Sequence, residues 1–148
     1  FQHADFSSAN LDGAKFWNVT LSNCSLGNAT LRGAEVHRTD FSGASMRGAD
    51  LEGAKMYDVS FANGDLANVS FLRATVFRSN LNGANLFGSN LMATNLEGTS
   101  LQGAELDHAS LEVAHRVGWF WLHWHSRRTT LFLLLAVLYL LADKILGT

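Results

Sequence analysis

Large apolar residues recur every five positions along most of this chain. Stepping by five from Phe1 gives Phe6, Leu11, Phe16 and Leu21, continues through Leu51, Met56, Phe61, Leu66 and Phe71, and ends at Leu111 without a slip of frame. Two residues before each centre stands a small or modest residue, as at Ala4, Ala9, Ala14, Val19 and Cys24. The residue just before each centre is polar, from Asp5 and Asn10 to Ser110. Two places after it Gly and Asn dominate, as at Gly13, Asn18, Asn23 and Asn28.

This period fits neither regular element. A helix turns about 100° per residue, so a five-residue step of about 140° spreads the Leu/Phe series around its surface. A straight strand sends successive odd steps to opposite faces. The pattern works if the chain corners once per pentad, always the same way, with small and large residues inward and Gly or Asn at the bends. The small-residue column sets the coil length. Its exceptions Val19, Thr39, Val59, Ser79 and Thr99 lie 20 apart, whereas Ala14, Ala34, Ala54 and Ala74 share another column. Four sides of five residues explain both. The expected fold is an all-β solenoid, a quadrilateral β-helix of about 5–6 coils and about 27 Å in height at the strand spacing.

The pentads "ADLEG", "ANLFG", "SNLMA", "TNLEG" and "AELDH" resemble the pentapeptide-repeat family, over residues 1 to about 115. That resemblance implies a right-handed quadrilateral β-helix. It does not imply one function, because fold does not fix function. Some members of the family resemble DNA in shape and charge and inhibit DNA gyrase; others are secreted effectors, lumenal proteins or fusions to membrane segments.

Each coil is expected to bury four large side chains, at roughly 1.5–3 kcal/mol apiece, with neighbouring coils as walls. Residues just after the centres face outward. One such column reads Trp17, His37, Tyr57 and Phe77 before changing to Glu97. Leu72, Phe87 and Met92 are outward on adjoining sides. Stacked rings can simply stiffen a ladder, but exposed aromatics also favour partner contacts. These seven residues are the candidate partner-binding wall. Lys15, Glu35 and Lys55 form a charge ladder beside it, and Arg38, Arg73 and Arg78 border it. Asn80, Asn85, Asn90 and Asn95 are expected to make local backbone hydrogen bonds.

The pattern stops after Ala114. "HRVGWFWLHWHSRR" follows, then "TTLFLLLAVLYLLADKILGT". The run from Thr129 to Ala142 is 14 residues, about 21 Å as a helix and short of the roughly 30 Å hydrocarbon thickness. Continuing to Thr148 supplies the length, with Lys144 placed to snorkel. Trp119, Trp121 and Trp124 resemble an interfacial belt, and Arg127 and Arg128 a cytoplasmic flank. The division read here is a β-helix over 1–114, a capping and interfacial helical linker over 115–128 and a single transmembrane helix over 129–148. The β-helix then sits on the cytoplasmic or organelle-equivalent side, with the bilayer as one partner. A helix docked on the solenoid, or pairing two subunits, is the alternative; the all-round apolar character of "LFLLLAVLYLL" argues against it.

Composition sharpens this division. The 148 residues are 47% hydrophobic and 16% charged, with a formal net charge of −2. Residues 1–115 hold seven Lys/Arg and twelve Asp/Glu, a net of −5, and residues 116–148 hold four Lys/Arg and one Asp, a net of +3. The chain starts at Phe1, not Met, which reads as a processed product with a missing segment or a partner over its first coil. No secretory signal pattern is visible. The lone Cys24 excludes an internal disulfide framework and occupies an inward slot, where an inert thiol is expected.

No catalytic chemistry is legible. There is no phosphate-binding Gly motif, nucleophile elbow or Ser/His/Asp set. His123 and His125 are two apart and diverge on a helix; a Trp-flanked His near a membrane can ligate a pigment or haem, but solvated or interfacial His fits this spacing better. No cofactor, metal, nucleic acid or small-molecule substrate is expected. The favoured reading is a non-catalytic, membrane-anchored scaffold, an accessory subunit contacting the protein subunits of a larger membrane complex. The alternative is a soluble DNA mimic acting on a topoisomerase, with the C-terminal helix used for dimerisation. That reading needs a more negative shaft than −5 with interspersed cations.

Overall fold

The computed structural model describes residues 1–112. Here the chain winds into a parallel β-helix that repeats every 20 residues. Short strands fix the register: β1 (Lys15–Trp17), β2 (Glu35–His37), β3 (Lys55–Tyr57) and β4 (Thr75–Phe77) pair in chain order, with Lys15 opposite Glu35, Val36 opposite Met56 and Tyr57 opposite Phe77. Single bridges carry the same offset around the remaining sides, as between Asp50 and Ser70, and between Ser70 and Asn90. Leu51, Phe71 and Leu91 therefore fall in one column.

One pentad shows how the backbone is satisfied. Leu51 donates its N–H to Ser70 O at 2.7 Å and Gly53 to Leu72 O at 2.9 Å, both one coil on. Lys55 donates back to Ala34 O at 2.8 Å, and Ala54 closes the corner onto Leu51 O at 3.0 Å. The remaining amide, that of Glu52, donates to Asp50 Oδ1 at 3.0 Å. No amide is left over. Where Asp or Asn precedes a centre, its side chain thus serves the backbone. Asp5, Asn10, Asp40, Asn80, Asn85, Asn90 and Asn95 each accept from the amide two residues on, a local bond that Asx side chains favour. The corner residue takes a left-handed backbone, as at Gly53 (φ 66°) and Asn63 (φ 55°). At Leu51–Ala54, where the Ala54 amide closes onto Leu51 O and only Gly53 has positive φ, the corner is a type II turn.

The four sides are not equivalent, although the pentad pattern makes them look so. Continuous strands form only on the side carrying β1–β4. Here the inward column reads Val19, Thr39, Val59 and Ser79, three of them β-branched and suited to extended backbone. The amides of Val59 and Ser79 donate across to Ser79 Oγ at 3.1 Å and Thr99 Oγ1 at 3.2 Å. One coil later Gly98 takes φ 70°, Thr99 N–H closes onto Leu96 O at 3.0 Å, and pairing drops to the single bridge Thr75–Asn95.

The core is the stacked series of centres. Every centre from Leu21 to Leu101 is at most 2% exposed, including Leu51, Met56, Phe61, Leu66 and Phe71. Phe41 and Phe61 lie parallel at 5.3 Å, and Phe71 meets Phe61 edge-on at 6.2 Å. Toward both ends of the described span Phe6, Leu11, Phe16, Leu106 and Leu111 are only half-buried. The buried Cys24 thiol donates to Phe1 O at 2.7 Å.

Among the described residues no helix is long and apolar enough to cross a membrane. The linker at 115–128, the membrane helix at 129–148 and the interfacial set Trp119, Trp121, Trp124, Arg127 and Arg128 lie outside the described residues.

Candidate functional site

The third residues of β1–β4 build a column of rings on one outer wall. Trp17 and His37 stack at 4.0 Å with 9° between their planes, and His37 and Tyr57 at 4.9 Å with 18°. Tyr57 and Phe77 follow at 6.1 Å, tilted by 60°. The 20-residue register causes this, since it sets each ring directly over the last. Trp17 is 57% exposed, and the other three rings are half-buried. Because Trp17, His37 and Tyr57 cover one another's faces, that part of the column turns mainly ring edges outward, the positive end of the aromatic quadrupole.

Charged columns run along both flanks. The first residues of the strands supply one. Lys15 Nζ sits 3.1 Å from Glu35 Oε2. That hydrogen bond, with the charges of Lys15 and Lys55, holds the Glu35 carboxyl below its ordinary value. The second flank is the corner column Asn18, Arg38, Asp58 and Arg78, all at positive φ. Arg78 pairs with Asp58 at 2.9 Å and lies 5.0 Å from the Phe77 ring centroid. Exposed Arg38 and Lys55 form no ion pair among the described residues. Between rings and corner column runs an open groove of about 310 Å³, lined by Trp17, Asn18, His37, Arg38, Tyr57, Asp58 and Arg78.

The other apolar candidates do not join this column. Leu72 and Met92 lie one coil apart on the preceding side, and Phe87 lies on the side before that, edge-on to His108 at 5.1 Å. Arg73 faces Glu52 at 3.8 Å. No group of three or more His, Cys, Asp or Glu among the described residues could hold a metal ion. Asn18 and Asp58 were not among the sequence candidates. Their signal was present: on this side alone the corner column carries Asn, Arg, Asp and Arg before Gly98, whereas Gly recurs at the corners elsewhere.

Comparison with known proteins matches this geometry. A model described as "Pentapeptide repeat region" matches residues 1–71, and "Pentapeptide repeats (8 copies)" matches residues 54–92 and 79–112. The chain belongs to the pentapeptide-repeat family. A trypsin-treated variant of QnrB1, a plasmid-mediated fluoroquinolone resistance protein of this family fold, aligns at 20% identity with a TM-score of 0.54, over 77% of this chain and 66% of that one. The chain thus spans slightly less than two thirds of that relative's length. HetL, a pentapeptide repeat protein involved in heterocyst differentiation regulation in the cyanobacterium Nostoc sp. strain PCC 7120, aligns at 20% identity over 77% of this chain and 87% of that one, with a TM-score of 0.43. No curated protein matches the sequence. Identities at this level show the shared fold alone.

Proposed function

We propose that this pentapeptide-repeat protein is a non-catalytic, membrane-anchored scaffold whose ring-bearing wall holds a protein subunit of a larger membrane complex. The outer column Trp17–His37–Tyr57–Phe77, with Trp17 exposed and the other rings half-buried, carries the reading. Aromatic residues are enriched at interface cores and dominate their energetics. Membership of a repeat family built on a regular shaft is consistent with a chain that is not an enzyme. The anchor rests on the sequence from Thr129 to Thr148, with Trp119, Trp121 and Trp124 at the interface and Arg127 and Arg128 on the cytoplasmic side.

Charge pairing favours a scaffold over a DNA mimic. A mimic presents uncompensated acids, yet Asp50, Asp58 and Asp65 face Arg32, Arg78 and Arg47 at 2.6, 2.9 and 2.9 Å. The test is purification from native membranes in mild detergent, followed by identification of what travels with the protein. A defined membrane partner is expected, and Trp17→Ala with Tyr57→Ala is expected to release it. A partner indifferent to both substitutions removes the wall from the proposal. Gyrase inhibition by the purified chain would favour the mimic instead.

A further inference from the structure

We propose that the groove beside the ring column binds an extended acidic segment of the partner protein, with Arg38 as its carboxylate-binding residue and Lys55 as a second cation across the rings. This rests on the scaffold reading and gives the partner a chemistry.

Three observations combine. First, three of the four rings cover one another's faces: successive pairs of Trp17, His37 and Tyr57 are stacked at 4.9 Å or less with interplanar angles of 18° or less, while Phe77 is tilted by 60°. Ligand cations are recognised on ring faces, and here the inner faces of the stacked rings are covered by their neighbours while Phe77 already has Arg78 at 5.0 Å from its centroid. The outward edges carry positive potential and attract carboxylate oxygens instead.

Second, the cations are unequally occupied. Lys15 is engaged by Glu35, and Arg78 by Asp58 and the Phe77 ring. Arg38 and Lys55 are exposed on opposite flanks of the His37–Tyr57 step and form no ion pair among the described residues, although Lys55 lies in register with Glu35 and its charge lowers that carboxyl. The two flanks of the ring column together carry four cations, Lys15, Lys55, Arg38 and Arg78, against two anions, Glu35 and Asp58, a local net of +2 beside a row of ring edges. Arginine's planar donors suit bidentate carboxylate recognition.

Third, Arg38 holds a left-handed backbone at φ 48°, and Arg78 at φ 49°. Gly takes that conformation without strain, as Gly98 does at the same corner one coil beyond Arg78. Both arginines line the groove from corners that glycine could occupy with less strain, so the guanidinium of Arg38 can be removed there without disturbing the backbone.

The experiment uses the full chain in mild detergent and fluorescence anisotropy of three fluorescein-labelled octapeptides. One has the sequence GEYEGEYE; the others carry glutamine or lysine in place of glutamate. The glutamate peptide is expected to bind at least about tenfold tighter than the glutamine peptide at low ionic strength, with the lysine peptide weakest. The advantage should shrink as salt screens exposed charge. Arg38→Gly should remove most of the preference while the melting temperature holds, because φ 48° suits glycine. Equal binding of the glutamate and glutamine peptides overturns the proposal, as does a preference that survives in Arg38→Gly. An octathymidylate binding at least as tightly as the glutamate peptide, and lost in Arg38→Gly, also overturns it and assigns the groove to nucleic acid. Co-purification separates the two levels. A membrane partner retained by Arg38→Gly, with no peptide preference, sinks this inference and leaves the scaffold standing. Absence of any partner sinks the scaffold itself.

Discussion

Gly88 takes φ 65° at a corner, and a Cβ built there would meet Asn68 Oδ1 of the preceding coil at 2.5 Å. Gly53 takes φ 66° with nothing within 4 Å of such a Cβ. Both alanine variants suffer left-handed strain of about 1 kcal/mol. Gly88→Ala should lose roughly 1 kcal/mol more, because Asn68 is forced off its rotamer. Adding Asn68→Gly should recover the excess, whereas the same change should not rescue Gly53→Ala; urea titrations of these four variants and of Asn68→Gly alone measure the coupling. A second contrast concerns buried hydroxyls. Ser89 Oγ is fully buried and has no hydrogen-bond partner. Thr94 Oγ1, equally buried, donates to Phe71 O at 2.8 Å. Ser89→Ala should therefore stabilise by about 1 kcal/mol and Thr94→Ala destabilise by about the same or more. Opposite shifts in melting temperature check the pair. Neither contrast is legible in sequence, where Gly88 and Gly53 occupy equivalent slots and so do Ser89 and Thr94. The difference lies in what the neighbouring coil puts against them.

The coil is the element here, and its energetics are those of a stack. Phe61 lies parallel to Phe41 at 5.3 Å and receives Phe71 edge-on at 6.2 Å, with none of the three more than 1% exposed. Phe61→Ala would open a cavity walled by both neighbours and should cost about 3–5 kcal/mol. Phe61→Leu, which converts the site to the commonest centre residue, should cost far less; chemical denaturation of both variants tests this. The centre series announced the core because an odd period of five admits inward residues only when the backbone corners once per unit. Coil length was readable for a similar reason, since Val19, Thr39, Val59, Ser79 and Thr99 departed from Ala together at intervals of 20. That those departures mark a side of continuous strands was not readable, because it depends on hydroxyls accepting amides across coils. The candidate site divides likewise. The ring column follows from register alone. The groove beside it also needs the rotamers that bring Arg78 to Asp58 and leave Arg38 apart, and those belong to three dimensions.

At the scale of the whole molecule the chain changes character near residue 115. Residues 1–115 carry a net charge of −5 and residues 116–148 a net of +3. Residues 1–112 satisfy their backbone coil against coil, and their outer walls are mostly polar. The second supplies "LFLLLAVLYLL", apolar on every helical face, after three tryptophans and the pair Arg127–Arg128. On insertion scales a central Arg costs about 2.5–3.5 kcal/mol, so two such changes should defeat insertion of one short helix while leaving residues 1–112 untouched. The full chain in its native host should stay in the membrane pellet after alkaline carbonate washing. Leu135→Arg combined with Leu138→Arg should move it to the supernatant, with its parallel β-sheet circular dichroism retained. A wild-type chain that washes free at high pH would instead leave the apolar run to dock on protein. The ring-bearing wall would then have to find its partner without a bilayer to restrict its approach, and the positive-inside argument for the side on which the shaft resides would lapse with the anchor.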